Sequence, residues 1–270
     1  MPADPNANPR GIQRVRHATR HRLLEVLRVI DLSPNLRRVT LGGSDLDGFL
    51  SLAPDDHIKL FFFPAGTTPQ KPVQGPDGPI WSTGVNRPPM RDYTPRRYDA
   101  QAQELDIEFV LHGEGPATQW ASNVRPGVPL LIGGPRGSAL VPPRADGYLL
   151  VADETGLPAV ARWLESLPAA RPVTAILEVA DARNEIPLAT AASLSLTWIH
   201  RNGRAPGDAP LLLAALERLA RPSGDIFAWV ACESAQSRAV RKFLEDSYQL
   251  DADSLRTVGY WKRGVADFHD

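Results

Sequence analysis

Residues 91–96 read Arg-Asp-Tyr-Thr-Pro-Arg. Two guanidinium groups offer forked donors to phosphate oxygens, an aromatic face can stack on a planar ring, and a hydroxyl can bond that ring's edge. Arg91, Tyr93, Thr94 and Arg96 are therefore candidates to hold a flavin, although arginines on an edge strand would leave the same pattern with no ligand. A second set stands at residues 111–121, Leu-His-Gly-Glu-Gly-Pro-Ala-Thr-Gln-Trp-Ala. Gly113 and Gly115 permit close backbone approach, Pro116 suits a first helical turn, and Thr118 falls where free N–H groups favour an anion. The plainer reading is an ordinary helix start, with Trp120 in the core and His112 beside it.

These residues need a scaffold, and the chain supplies two rhythms. From about 21 to 141, short strands alternate with Gly and Pro: Leu23–Ile30, Arg37–Leu41, Ile58–Phe63, Arg91–Tyr98, Glu104–Leu111 and Pro129–Ile132. On this reading Arg91 and Arg96 share one strand of an antiparallel β-barrel. Residues 66–90 are dense in Pro and Gly and too long for a simple turn, so they form a flap or an insertion. From about 147, buried strands at Tyr148–Ala152, Val173–Val179, Thr197–His200 and Ile226–Val230 are interleaved with helices at Leu157–Ser166, Ala209–Leu219 and Ala235–Tyr248. That alternation predicts a parallel α/β sheet with ligands at the carboxyl ends of its strands. There the first strand ends at Asp153, and Glu154, Thr155 and Gly156 turn into a helix without a GxGxxG sequence. The expected division is an arm at 1–20, a barrel domain at 21–142, a linker at 142–147 and an α/β domain at 147–270.

Composition narrows the function classes. With 270 residues, 43% hydrophobic and 23% charged, the chain can bury two cores. A net charge of −1 gives no global attraction to nucleic acid or to an acidic membrane, so anionic ligands must meet local cations. One cysteine, Cys232, excludes an intramolecular disulfide framework, and the six histidines show no paired metal-binding spacing. The beginning of the chain has no apolar leader, and no stretch reaches the roughly 20 apolar residues of a spanning helix. A cytoplasmic monomer is expected.

In order along the chain, RDYTPR, HGEGPATQWA, IGGPRGS (132–138), VADETGLPAVARWLE (151–165), WVACES (229–234) and GYWKRG (259–264) resemble the siderophore-interacting proteins. These are flavin-dependent ferric-siderophore reductases related to the ferredoxin-NADP reductase superfamily. The resemblance implies an FAD-binding antiparallel barrel followed by a nicotinamide-binding α/β domain. It implies that Arg91, Tyr93, Thr94 and Arg96 hold the flavin, with Tyr93 and Thr94 nearest the reacting ring. His112, Gly115, Thr118 and Trp120 are implied for the diphosphate and adenosine, and Asp153, Glu154, Thr155 and Glu233 for the nicotinamide dinucleotide. Arg201 would meet a ribose or the 2′-phosphate of NADPH, favoured over NADH. Lys59, Arg136, Lys262 and Arg263 would meet an anionic ferric siderophore. The family commonly has glycine where Cys232 stands. Hydride would pass from nicotinamide to flavin and single electrons from flavin to Fe(III), which hard siderophore oxygens hold better than Fe(II), leaving iron as substrate. A general flavin reductase or ferredoxin-NADP reductase-like protein, and a non-catalytic siderophore carrier, remain as alternatives.

Overall fold

The computed structural model describes residues 11–64, 66–75, 78–82, 87–113, 115–141, 145–266 and 268. Parts of three expected segments lie outside these residues: the first half of the arm, 142–144 of the linker, and several positions of the 66–90 insertion. The chain divides into two compact units, one of them Val15–Ser138.

The first stretch contains β1 (Gln13–Arg16), β2 (His21–Ser33), β3 (Leu36–Gly42), β4 (Ile58–Phe61), β5 (Val73–Gly75), β6 (Gly78–Ile80), β7 (Met90–Tyr93), β8 (Pro95–Asp99), β9 (Glu104–Val110), α1 (Pro116–Asn123), β10 (Pro129–Gly133) and β11 (Gly137–Leu140). Seven of these strands form an antiparallel sheet in the order β7-β4-β10-β2-β3-β9-β8. Alternate residues fill its core: Leu105, Ile107 and Phe109 are wholly buried there with Leu24, Val26, Val39, Leu41, Ile58 and Leu60. Strand β1 and His17, whose ring nitrogen lies 2.8 Å from Ser138 Oγ, fall within the stretch expected to be an arm.

One expectation is corrected. Arg91–Tyr98 is two strands, because Pro95 supplies no N–H and restricts Thr94 before it, so the ladder breaks at that point. The two halves occupy opposite edges of the sheet, β7 against β4 and β8 against β9. Since only Thr94 separates them, the sheet must roll until its edges meet, which makes the half-barrel. The described part of the insertion carries the β5–β6 hairpin, and Trp81 seats it against Phe61, Phe63 and His21.

The second stretch contains β12 (Gly147–Ala152), α2 (Leu157–Ser166), β13 (Pro172–Val179), β14 (Ser193–His200), α3 (Leu211–Leu216), β15 (Ile226–Glu233), α4 (Ser234–Ser247) and β16 (Leu255–Trp261). Its five strands are parallel, in the order β14-β13-β12-β15-β16. Every residue of β12 and β15 is buried, as strands covered on both faces must be. The order reverses between β12 and β15, and in open parallel sheets ligands bind beside such a switch point at the carboxyl ends. Gly156 lies in the turn there: a Cβ on it would stand 2.8 Å from Ala152 Cβ and 3.0 Å from Ala231 O. Both neighbours are short and fixed, so Gly156→Ala is expected to cost about 1–3 kcal/mol, read as a lower urea midpoint with an unchanged slope.

Candidate functional site

Strand alternation places Arg91 and Tyr93 on one face of β7 and Asp92 on the other. The Tyr93 ring lies 4.5 Å from the Phe109 ring, Phe109 lies 5.5 Å from Trp120, and Trp120 lies 5.9 Å from Phe62. Trp120 is thus partly buried and packed on the barrel core. Burial pushes the Tyr93 phenol well above its ordinary value, against the opposing pull of Arg91, so Tyr93 is a neutral hydroxyl at any physiological pH. Thr94 is 7% exposed at the seam, and Arg91 Nη1 donates to the Met90 carbonyl at 2.6 Å.

Arg96 is the extra residue of a β-bulge: Pro95 pairs with Ile107 and Arg97 with Asp106. The bulge aims Arg96 at Glu108, a buried carboxylate 3.5 Å from its Nε, whose same oxygen takes Arg38 Nε at 3.0 Å and Arg38 Nη2 at 2.5 Å. Arg91 and Arg96 therefore do not form one forked pair on one strand, as the sequence suggested.

At the end of β9, Gly113 takes a φ of 62° that favours glycine, and a Cβ on Gly113 or Gly115 would meet nothing within 4 Å. Gly115 caps α1 without a side-chain bond, Pro116 follows at the first turn, and Thr118 Oγ1 donates to the His112 carbonyl at 2.9 Å. An uncapped eight-residue helix facing open ground presents its first amides to an anion. Phe109, touching both Tyr93 and Trp120, joins this helix start to the β7 seam. The residues present fit a planar ring with a diphosphate tail.

The carboxyl edge of the parallel sheet is a lattice of polar side chains, with one or more from each strand end. Asp153 accepts Thr155 N at 2.9 Å, Thr155 Oγ1 at 2.5 Å, Glu233 N at 3.1 Å and Trp261 Nε1 at 2.8 Å. Glu233 caps α4 by accepting Ala235 N and Gln236 N, and its other oxygen accepts Arg263 N at 3.2 Å. Arg201, 5% exposed, donates through Nη2 to both oxygens of Glu154 at 2.9 Å and places Nη1 3.5 Å from Glu178. Asp153, Glu154, Thr155, Arg201 and Glu233, the side chains expected at the dinucleotide, are thus bound to one another or to backbone. Glu178, which the motifs did not single out, completes the cluster. Cys232 is fully buried beside it, its thiol pushed well above the ordinary range by burial and then by Asp153, Glu178 and Glu233, so it is no nucleophile.

The four expected substrate cations fall two in each unit. Lys59 Nζ sits 2.9 and 3.1 Å from the Asp92 oxygens. The β4–β10 register sets Lys59 opposite Gly133, three residues before the exposed Arg136. In the other unit Lys262 is exposed, and Arg263 Nη1 lies 2.6 Å from Asp208 Oδ1. Among the described residues no group of three or more His, Cys, Asp or Glu is arranged for a metal, and no helix is long and apolar enough to cross a membrane.

Comparison with known proteins gives a consistent result. Residues 25–139 match the siderophore-interacting FAD-binding domain and residues 145–264 match the siderophore-interacting protein family. The chain is 38% identical over 259 residues to the NADPH-dependent ferric-chelate reductase of Escherichia coli (strain K12), covering 95% of this chain and 98% of that one. It is 37% identical over 248 residues to the ferric vibriobactin reductase of Vibrio cholerae, covering 90% of each. The crystal structure of a siderophore utilization protein from T. fusca superposes with a TM-score of 0.88 at 41% identity, covering 95% of this chain and 99% of that one.

Proposed function

The chain belongs to the siderophore-interacting protein family, and from that premise we propose that it is an NADPH-dependent, FAD-containing oxidoreductase that reduces ferric siderophores. The observation that carries the reading is the strand break at Thr94, which sets Tyr93 and Thr94 at a sheet seam joined through Phe109 to an uncapped helix start. In it, Tyr93 would stack on the flavin, the buried Thr94 hydroxyl would bond the ring's edge, and Arg91 with the amides of α1 would take the diphosphate. FAD, when bound, accepts electrons as a hydride and releases them singly. The chain's own residues would orient the ring, with Phe109 packed behind Tyr93, and would offer an anionic ferric complex the cations Lys59 and Arg136 of one unit; Lys262 and Arg263 are the candidates of the other. Fe(II) is held less tightly than Fe(III) by hard oxygen ligands, so reduction releases the metal. We place this activity in the cytoplasm, carried by a single chain.

Tyr93→Ala tests the reading directly. Loss of about 1–1.5 kcal/mol of ring stacking is expected to weaken FAD binding roughly tenfold, read as the FAD-to-protein ratio after gel filtration. Unchanged FAD affinity would remove Tyr93 from the site. For the activity, the yellow holoprotein reduced anaerobically by NADPH should be reoxidised by a ferric siderophore, and faster than free flavin is reduced. The reverse order of rates would make it a flavin reductase.

A further inference from the structure

Strands β12 and β13, with helix α2 between them, make a parallel βαβ unit. In dinucleotide-binding units of this kind, a carboxylate about 20 residues past the first turn takes the ribose 2′-hydroxyl of NADH, and a nearby arginine accommodates the 2′-phosphate of NADPH. This chain has both. Asp181 stands 25 positions after Gly156, just past the carboxyl end of β13, and Arg183 follows it. The place is joined to the β12 turn, because the Glu154 carboxylate takes the Ala180 amide next to Asp181. Asp181 caps the 3-10 turn Ala182–Asn184 by accepting Arg183 N at 2.9 Å and Asn184 Nδ2 at 3.0 Å, so its carboxylate is held without help from the Arg183 side chain. The guanidinium closes on it, with Nη2 2.7 Å and Nε 3.3 Å from the Asp181 oxygens. Nη1 has no partner among the described residues. The Arg183 side chain is 78% exposed and that of Asp181 30%, so the pair is open to a ligand from solvent.

We propose that Arg183 and Asp181 set the choice between NADPH and NADH: Arg183 takes the 2′-phosphate and shields it from Asp181, whose bare carboxylate would favour a 2′-hydroxyl. The proposal rests on the reading that the α/β unit binds the dinucleotide. A guanidinium bonded to Asp181 through Nε and Nη2 still offers Nη1 to a phosphate oxygen, and its charge stands between the two anions. Without it, a dianionic phosphate meets a fixed carboxylate that is ionised at any working pH. A 2′-hydroxyl donates to that carboxylate instead, so NADH loses little by the same change.

The test is anaerobic reduction of the FAD-loaded protein by NADPH and by NADH, followed at the flavin absorbance, so that no ferric complex enters. R183A is expected to lower the NADPH-to-NADH ratio of second-order rate constants about thirtyfold at low salt, nearly all of it through NADPH, and less at high salt. R183A combined with D181N should recover about three- to fivefold of that ratio, because asparagine still caps the turn but no longer repels the phosphate. A ratio that stays at the parent value in R183A overturns the proposal, and so does a double variant no better than R183A. Arg204, an exposed arginine beyond the neighbouring strand β14, supplies the control: a ratio that collapses in R204A while R183A keeps it also overturns the assignment. Failure of the underlying reading looks different, since the parent's flavin would then be reduced by neither nucleotide.

Discussion

Replacing Arg201 with methionine is expected to destabilise the protein by about 3–5 kcal/mol, the range for removing one partner from a buried ion pair. The guanidinium is the only cation among the hydrogen-bonded and ion-paired side chains described here for Glu154 and Glu178, and it is nearly sealed from water. Methionine fills similar volume but leaves the Glu154 carboxylate buried beside Asp153 with no counter-charge. It then takes up a proton at a cost in stability or draws water into the sheet edge. Urea unfolding of the flavin-free protein reads the effect directly. An arginine serving a 2′-phosphate would behave otherwise: R201M would unfold like the parent, with a raised KM for NADPH and an unchanged KM for NADH. That second outcome would overturn the structural role. R201M combined with E154Q should recover part of the loss, because the uncompensated charge is then gone.

The sequence made the two-layer plan legible because the relevant signals are local. Alternating Leu105, Ile107 and Phe109 mark a half-buried strand, and the all-apolar run Tyr148–Ala152 marks a doubly covered one. Six motifs in register carry the family resemblance. Less was legible where partners come from distant segments. Arg201 and Glu154 are 47 positions apart, and Asp153 and Trp261 are 108 apart; no window of sequence shows that such residues use their side chains on each other. Two signals were nevertheless available. Glu178 is the lone charge in the otherwise apolar run Val-Thr-Ala-Ile-Leu-Glu-Val, and a charge in a buried strand requires a partner. Ser193–His200 alternates Leu194, Leu196 and Trp198 against polar residues, so the full edge strand could have been drawn rather than its last four residues. The break at Pro95 is a third case: proline there argued against one continuous strand carrying both arginines.

Glu178 also gives the stability a pH dependence opposite to that of most paired carboxylates. Burial raises its pKa to about 7, with Asp153 and then Glu154 adding to the rise and Arg201 opposing it. Below about pH 4.5, the ordinary glutamate value, folded and unfolded states both hold the proton, and this residue contributes nothing to the pH dependence. Between that pH and about 7 the unfolded chain has released the proton while the folded one keeps it, so stability falls as pH rises and levels off above 7. At 1.36 kcal/mol for each pH unit, the whole descent is roughly 3 kcal/mol. Burial raises Asp153 and Glu154 in the same direction, so they add to the slope. Asp181, held down to about 2 mainly by its hydrogen bond to Arg183, works in the opposite sense but well below this window. Glu178→Gln keeps the shape and removes the proton. Urea midpoints between pH 5 and pH 8 should therefore decline in the parent and decline much less in E178Q, with the variant the more stable of the two at pH 8. Parallel curves would mean that Glu178 is ionised in the folded protein, and that Arg201 compensates both glutamates despite making its two short hydrogen bonds to Glu154 alone.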